Sequence, residues 1–150
     1  MSPVVPPPRL VIIDDEPRLV EVVAAIARDA FPDPKELVIE SIFTAEAAIL
    51  AIRRASAAHE VAIVVISDFQ LPPSKVDGLE VLAEVKKRLP LAKRALMTGR
   101  DVEEFGSVLD QARLDAFVAK PFTFHEMRAL IARLVAEVAG AEPAQLPLVG

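Results

Sequence analysis

Five times along the chain, a short apolar run is followed by a longer stretch in which apolar residues recur every three to four positions. The run Val61-Ala62-Ile63-Val64-Val65-Ile66, ahead of Ser67-Asp68, is uninterrupted and rich in β-branched residues. That is the pattern of a strand buried on both faces in the middle of a parallel sheet. Four more strands are predicted: Arg9 to Ile13, Leu37 to Phe43, Ala95 to Met97 and Ala116 to Ala119. Leu37 to Phe43 alternates in part (Val38, Glu40, Ile42), which suits a place nearer a sheet edge.

Helical spacing marks the stretches between them. Pro17, which suits the first turn of a helix, opens one that runs to about Ala30 with the stripe Leu19, Val22, Val23, Ile26, Ala27 and Ala30. Thr44 serves as the N-cap of a second, Ala-rich helix running to about Ala58, with Ala47, Ala48, Leu50, Ala51 and Ile52 as its apolar positions. A third spans Gly78 to Leu89 (Leu79, Val81, Leu82, Val85, Leu89), and Pro90 ends it. A fourth, over 102–113, carries a weaker stripe of Phe105, Val108, Leu109 and Ala112. Thr123 and Glu126 match a capping box at the start of the last, which runs to about Ala139 with Met127, Leu130, Ile131, Leu134 and Val138 inward and Gly140 at its end. Strict β-α alternation predicts an α/β fold: one doubly wound five-stranded parallel sheet with five helices on both faces. It spans residues 9–139, behind a Pro-rich lead-in at 1–8 and ahead of a flexible tail or linker start at 140–150.

Composition narrows the function. At 150 residues and 53% apolar, the chain is one domain with enough material for a core. No apolar run approaches the roughly 18 residues that cross a bilayer, and Met1 to Pro8 lack the charge and apolar stretch of an export signal. The absence of cysteine removes disulfide and thiolate chemistry and fits a cytoplasmic location. A net charge of −5 argues against direct nucleic-acid binding, and the one basic run, Lys86-Lys87-Arg88, complements a helix C-terminus. His59 and His125 fall at a helix end and inside a capping box, so neither is a candidate for phosphoryl relay.

The chemistry gathers at one edge. Asp14 and Asp15 follow the first strand, Asp68 the third, Thr98 the fourth and Lys120 the fifth. In a parallel sheet these are the carboxyl ends, where open α/β proteins bind ligands. Three carboxylates together repel one another unless a cation sits among them. An all-oxygen donor set selects a hard ion, and Mg²⁺ is the one that works with few carboxylates and a phosphate. A carboxylate beside Mg²⁺ is also a competent nucleophile toward a phosphoryl group. Such transfer needs mainly positioning and charge neutralisation, which Lys120 and a hydrogen bond from Thr98 would supply.

On these residues the chain resembles the receiver domain of two-component response regulators, the CheY-like superfamily. The resemblance is carried by Asp14-Asp15, by Asp68 with Leu71-Pro72 and Asp77-Gly78, by Met97-Thr98-Gly99, and by Phe117 to Phe122 with Lys120-Pro121. It implies the flavodoxin-like strand order 2-1-3-4-5. It also implies that Asp68 is the phosphoacceptor, taking the group from the phosphohistidine of a histidine kinase or phosphotransfer protein, and that Mg²⁺ is the cofactor. Asp15 then ligates the metal directly, Asp14 holds metal-bound water and Gln70 offers its backbone carbonyl. Thr98 becomes the switch hydroxyl, Lys120 the phosphate-pairing lysine and Phe117 the aromatic switch position, lacking a tyrosine's hydroxyl. The implied output is a change in the surface of the fourth helix, fifth strand and fifth helix, read by a downstream protein, a fused output domain or a second copy in a phosphorylation-dependent homodimer. On this reading the domain is not an enzyme beyond its own phosphoryl uptake and hydrolysis. Pro73-Ser74-Lys75-Val76 lengthens the usual loop by about two residues.

Two other readings fit the same carboxylates. A degenerate receiver would keep the fold purely for docking. A phosphatase using Asp68 as nucleophile would need an acid/base two residues on, where the chain has Gln70, which moves no proton.

Overall fold

The computed structural model describes residues 5–104, 106 and 111–140. Within them, five parallel strands, β1 (Arg9–Ile13), β2 (Val38–Ile42), β3 (Ile63–Asp68), β4 (Lys93–Thr98) and β5 (Ala116–Ala119), form one sheet in the order 2-1-3-4-5. Four α-helices are present among the described residues: α1 (Pro17–Ala30), α2 (Ala45–Ala57), α3 (Gly78–Arg88) and α4 (Phe124–Ala139). Of the predicted helix at 102–113, the structure shows a 3₁₀ turn at Val102–Glu104 and helical backbone at Gly106, Gln111 and Ala112, with Ala112 half-buried. Phe105, Val108 and Leu109 lie outside the described residues, so four helices are counted where five were expected. The lead-in before Val5 and the tail after Gly140 also lie outside them.

Both faces of the sheet are covered, and β1 shows why. Leu10 and Ile12 join Val64, Ile66 and Met97 under α1 and α4, while Val11 and Ile13 join Ile63, Val65 and Leu96 under α2 and α3. Each fully buried aliphatic side chain contributes about 1.5–3 kcal/mol, so the two central strands anchor both layers. Because β3 is apolar on both sides, the alternation that normally specifies register is missing. The strand begins at Ile63, two residues after the apolar run does, and carries Ser67 and Asp68 inside its last turn of pleat.

The helices bury narrower stripes than their spacing suggests. α1 packs through Val20, Val23, Ala24, Ile26 and Ala27, leaving Val22 49% exposed. α2 uses Ala45, Ala48, Ile52 and Ala55, which turns Leu50 outward. The N-caps are as predicted, with Thr44 Oγ1 accepting from Ala47 N and Thr123 Oγ1 from Glu126 N. Asp77 caps α3 in the same way, accepting from Glu80 N.

Candidate functional site

Strand register alone brings the acids together. Ile13 lies opposite Ser67 in the β1–β3 pair, so the next residues, Asp14 and Asp68, emerge side by side on strands about 4.8 Å apart. The ladder continues past the strand ends, with Phe69 N donating to Met97 O and Lys120 N to Thr98 O. Thr98 is paired with Ala119, which puts Lys120 on the same rim.

Lys120 Nζ sits 2.9 Å from Asp14 Oδ2 and 2.9 Å from Asp68 Oδ1. Asp14 is fully buried, and its other oxygen, Oδ1, accepts from Glu16 N at 2.9 Å. Asp15 and Asp68 are half-buried. One oxygen from each of Asp14, Asp15 and Asp68 lies within 4.8 Å of the others, so the three could hold a metal ion. The donor set is oxygen-only and fits a hard dication better than a thiophilic one.

Electrostatics agree with that reading. Burial raises the pKa of Asp68, opposed by the hydrogen bond from Lys120 and reinforced by the charge of Asp14. Burial, then the charge of Asp14, raises Asp15. For Lys120, burial pulls the pKa down, but its hydrogen bonds to Asp14 and Asp68 outweigh it and the net shift is upward. A carboxyl whose folded pKa exceeds its unfolded one holds its proton more tightly when folded. The carboxyls of Asp15 and Asp68 therefore cost no stability below their ordinary value of 3.8, and cost increasingly as pH rises through the raised values. Lys120, with its pKa raised above 10.5, stays fully charged across that window.

In chelator, wild type is thus expected to lose melting temperature relative to Asp68→Asn as pH rises from the ordinary value of 3.8 through the raised one. A millimolar divalent cation is expected to close the gap. Thermal melts of both proteins across that range check it. A gap independent of pH, or one untouched by cation, would show that the carboxylates are not electrostatically coupled.

The remaining predicted residues are placed as follows. Thr98 is buried at the end of β4, and its Oγ1 accepts from Arg100 N at 3.0 Å; its contact with Lys120 is through the backbone, Lys120 N donating to Thr98 O. Phe117 is half-buried against the cluster under α2 and α3. Gln70 is exposed in the loop after β3. The longer loop is tied down: Ser74 N donates to Leu71 O, Val76 N to Ser74 Oγ, and a hydrogen bond from Ser74 lowers the pKa of Glu46 at the start of α2.

Two features had little signal in the sequence. The Arg100 guanidinium lies 5.6 Å from the centre of the Phe69 ring, beside the site, and is paired with Glu104 at 3.0 Å. Arg94 is buried. A cavity of about 310 Å³ lined by Arg9, Glu40, Ala55, Glu60 and Leu89 lies toward the amino ends of the strands, away from the acids.

A family model for the response regulator receiver domain matches residues 10–132. An NtrX-like response regulator of Rickettsia bellii (strain RML369-C) is 30% identical over 126 residues, covering 83% of this chain but 24% of that protein. The chain therefore spans about a quarter of that relative's length. Among solved structures, a CheY-like receiver domain protein from Methanospirillum hungatei JF-1 superposes with a TM-score of 0.71 at 22% identity, over 87% of this chain and 95% of that one. The receiver domain of NtrX from Brucella abortus gives 0.68 at 24% identity, over 85% and 98%. At these identities the structural likeness establishes the fold.

Proposed function

Because the chain belongs to the response regulator receiver domain family, we propose that it accepts a phosphoryl group on Asp68 from a phosphohistidine and passes the event on as a change of surface. The observation that carries this is the ammonium of Lys120, held 2.9 Å from both Asp14 and Asp68 within a cluster of three carboxylates. A lysine placed there neutralises charge that arrives on Asp68.

In the proposed step an Asp68 carboxylate oxygen forms a bond to phosphorus as the bond to the histidine nitrogen breaks. The imidazole leaves with its electron pair and is protonated. Asp14, Asp15, Asp68 and the Gln70 carbonyl would hold Mg²⁺, which when bound neutralises the phosphoryl oxygens. Lys120 moves from pairing two carboxylates to pairing one of them and the new phosphoryl group. Thr98 turns its hydroxyl toward that group at the expense of the bond from Arg100 N. The volume vacated by Thr98 is then open to Phe117, whose ring has no hydroxyl to anchor it, so this switch works by packing between two arrangements.

The domain on this reading is a phosphoacceptor whose only catalysis is on itself. Its donor is a histidine kinase or phosphotransfer protein. The reader of the changed surface is an output domain, a separate protein or a second copy. Among the described residues no helix is long and apolar enough to cross a membrane.

The test is incubation with a small acyl phosphate and Mg²⁺, followed by intact mass and by borohydride trapping of the acyl phosphate. One phosphoryl group per chain is expected, mapped to residue 68 and lost when chelator replaces Mg²⁺. A label at another residue, or uptake indifferent to chelator, would overturn the assignment.

A further inference from the structure

β5 is the weakest element of the rim. It is four residues long, lies at the sheet edge with β4 as its single neighbour, and delivers both Phe117 and Lys120. Four pairs of a parallel ladder do not by themselves hold an edge strand in place. Its far end is held by Lys120 N on Thr98 O at 2.8 Å. Its near end is held chiefly by Arg94, with two longer contacts beside it, Lys93 Nζ at 3.7 Å from Asp115 Oδ1 and Arg133 Nη2 donating to Asp115 O at 3.3 Å.

The Arg94 side chain is 3% exposed, on the face of β4 that meets α3. Nη1 donates to Leu82 O at 3.0 Å; Nη2 donates to Ala112 O at 2.7 Å and to Arg113 O at 3.1 Å. The backbone joins in, with Arg94 N donating to Asp115 Oδ2 at 2.8 Å and Asp115 N to Arg94 O at 2.9 Å. Burying a guanidinium is costly unless its donors are used, and here Nη1 is used on Leu82 of α3 and Nη2 on Ala112 and Arg113, which lead into β5. Burial lowers its pKa, with the charge of Asp115 opposing, and an arginine nonetheless stays charged at neutral pH.

We propose that Arg94 is a positioning residue for the phosphoacceptor site. Its guanidinium fixes the start of β5 against β4 and α3, and thereby sets where Lys120 stands relative to Asp68. The carboxylates, carried by β1 and β3, are outside its reach. Arg94 therefore governs the lysine half of the site and leaves the acidic half alone. The inference rests on the phosphoacceptor reading above, since it assigns Lys120 a part in phosphoryl uptake.

The experiment compares wild type, Arg94→Met and Arg94→Lys. Two quantities are read: the rate of phosphoryl uptake from a small acyl phosphate, and the Kd for Mg²⁺ alone, with amide exchange as a further probe. Misplacing a group by a fraction of an ångström is expected to slow uptake about tenfold in Arg94→Met, with the Mg²⁺ Kd within about twofold of wild type. Amide exchange should accelerate at 116–120 and stay unchanged at 10–15. Lysine keeps the charge but cannot span three carbonyls, so Arg94→Lys shows the same selective pattern. That variant carries the test if Arg94→Met fails to fold. Uptake equal to wild type, or uptake and Mg²⁺ affinity falling together, would overturn the proposal. If wild type itself takes up no phosphoryl group, the phosphoacceptor reading fails, while amide exchange still decides whether Arg94 holds β5.

Discussion

Asp68→Asn is expected to abolish phosphoryl uptake, by on the order of 10³-fold or more, while leaving a folded protein with a higher melting temperature in chelator. An amide offers no anionic oxygen to phosphorus, so the loss is limited only by what a neighbour can supply. Asp14 cannot substitute: it is fully buried, with Oδ1 engaged by Glu16 N and Oδ2 by Lys120. Asp15 is half-buried and is the only other carboxylate of the cluster. Any residual label should map there. The rise in stability has a separate origin, because Asp68 is a carboxyl whose charged form is disfavoured by burial and by Asp14. Stopped-time mass analysis with acyl phosphate, together with a thermal melt, checks both halves. Uptake near the wild-type level would remove Asp68 from the acceptor role whatever the melt showed.

The rim was legible in the sequence because each of its residues follows an apolar run, and chain direction in a parallel sheet puts all such positions on one edge. Asp14, Asp68, Thr98 and Lys120 are found this way, and register then does the rest. What escaped was whatever depends on burial of residues that look polar. The predicted fourth strand begins at Ala95, yet β4 begins at Lys93, and Arg94 is buried because backbone carbonyls from α3 and from 112–113 receive it. No local pattern announces those acceptors. Ala-rich α2 was misjudged in the opposite sense. Ala45, Ala48 and Ala55 fill its inner face, so Leu50, the larger residue, stands outside. The sequence shows the loop Pro73–Val76 only as longer than usual; that it closes on itself, through Ser74 N on Leu71 O and Val76 N on Ser74 Oγ, no local pattern announces.

Two glycines beside the site are expected to respond to alanine in opposite ways. At Gly78, the first residue of α3, an added Cβ would overlap the Asp68 carbonyl oxygen and crowd Phe69 Cα at 3.0 Å. Gly78 N also donates to Phe69 O at 2.6 Å, so the helix start and the strand end are in direct backbone contact. Neither backbone has a flexible side chain to yield, and the cost of driving them apart is about 3 kcal/mol or more. Against a total stability of about 5–15 kcal/mol, that lowers the urea midpoint by about 1–2 M. Gly99 follows Thr98, and a Cβ there would meet nothing nearer than Lys120 Cβ at 4.0 Å, an ordinary contact. Gly99→Ala is accordingly expected within about 0.5–1 kcal/mol of wild type, with the smaller unfolded-state entropy working in its favour. Paired urea titrations of the two variants decide the matter. Similar midpoints would mean that α3 can retreat from β3 at little cost. In that case the tight approach of Gly78 to Asp68 would not be what holds β3 against α3.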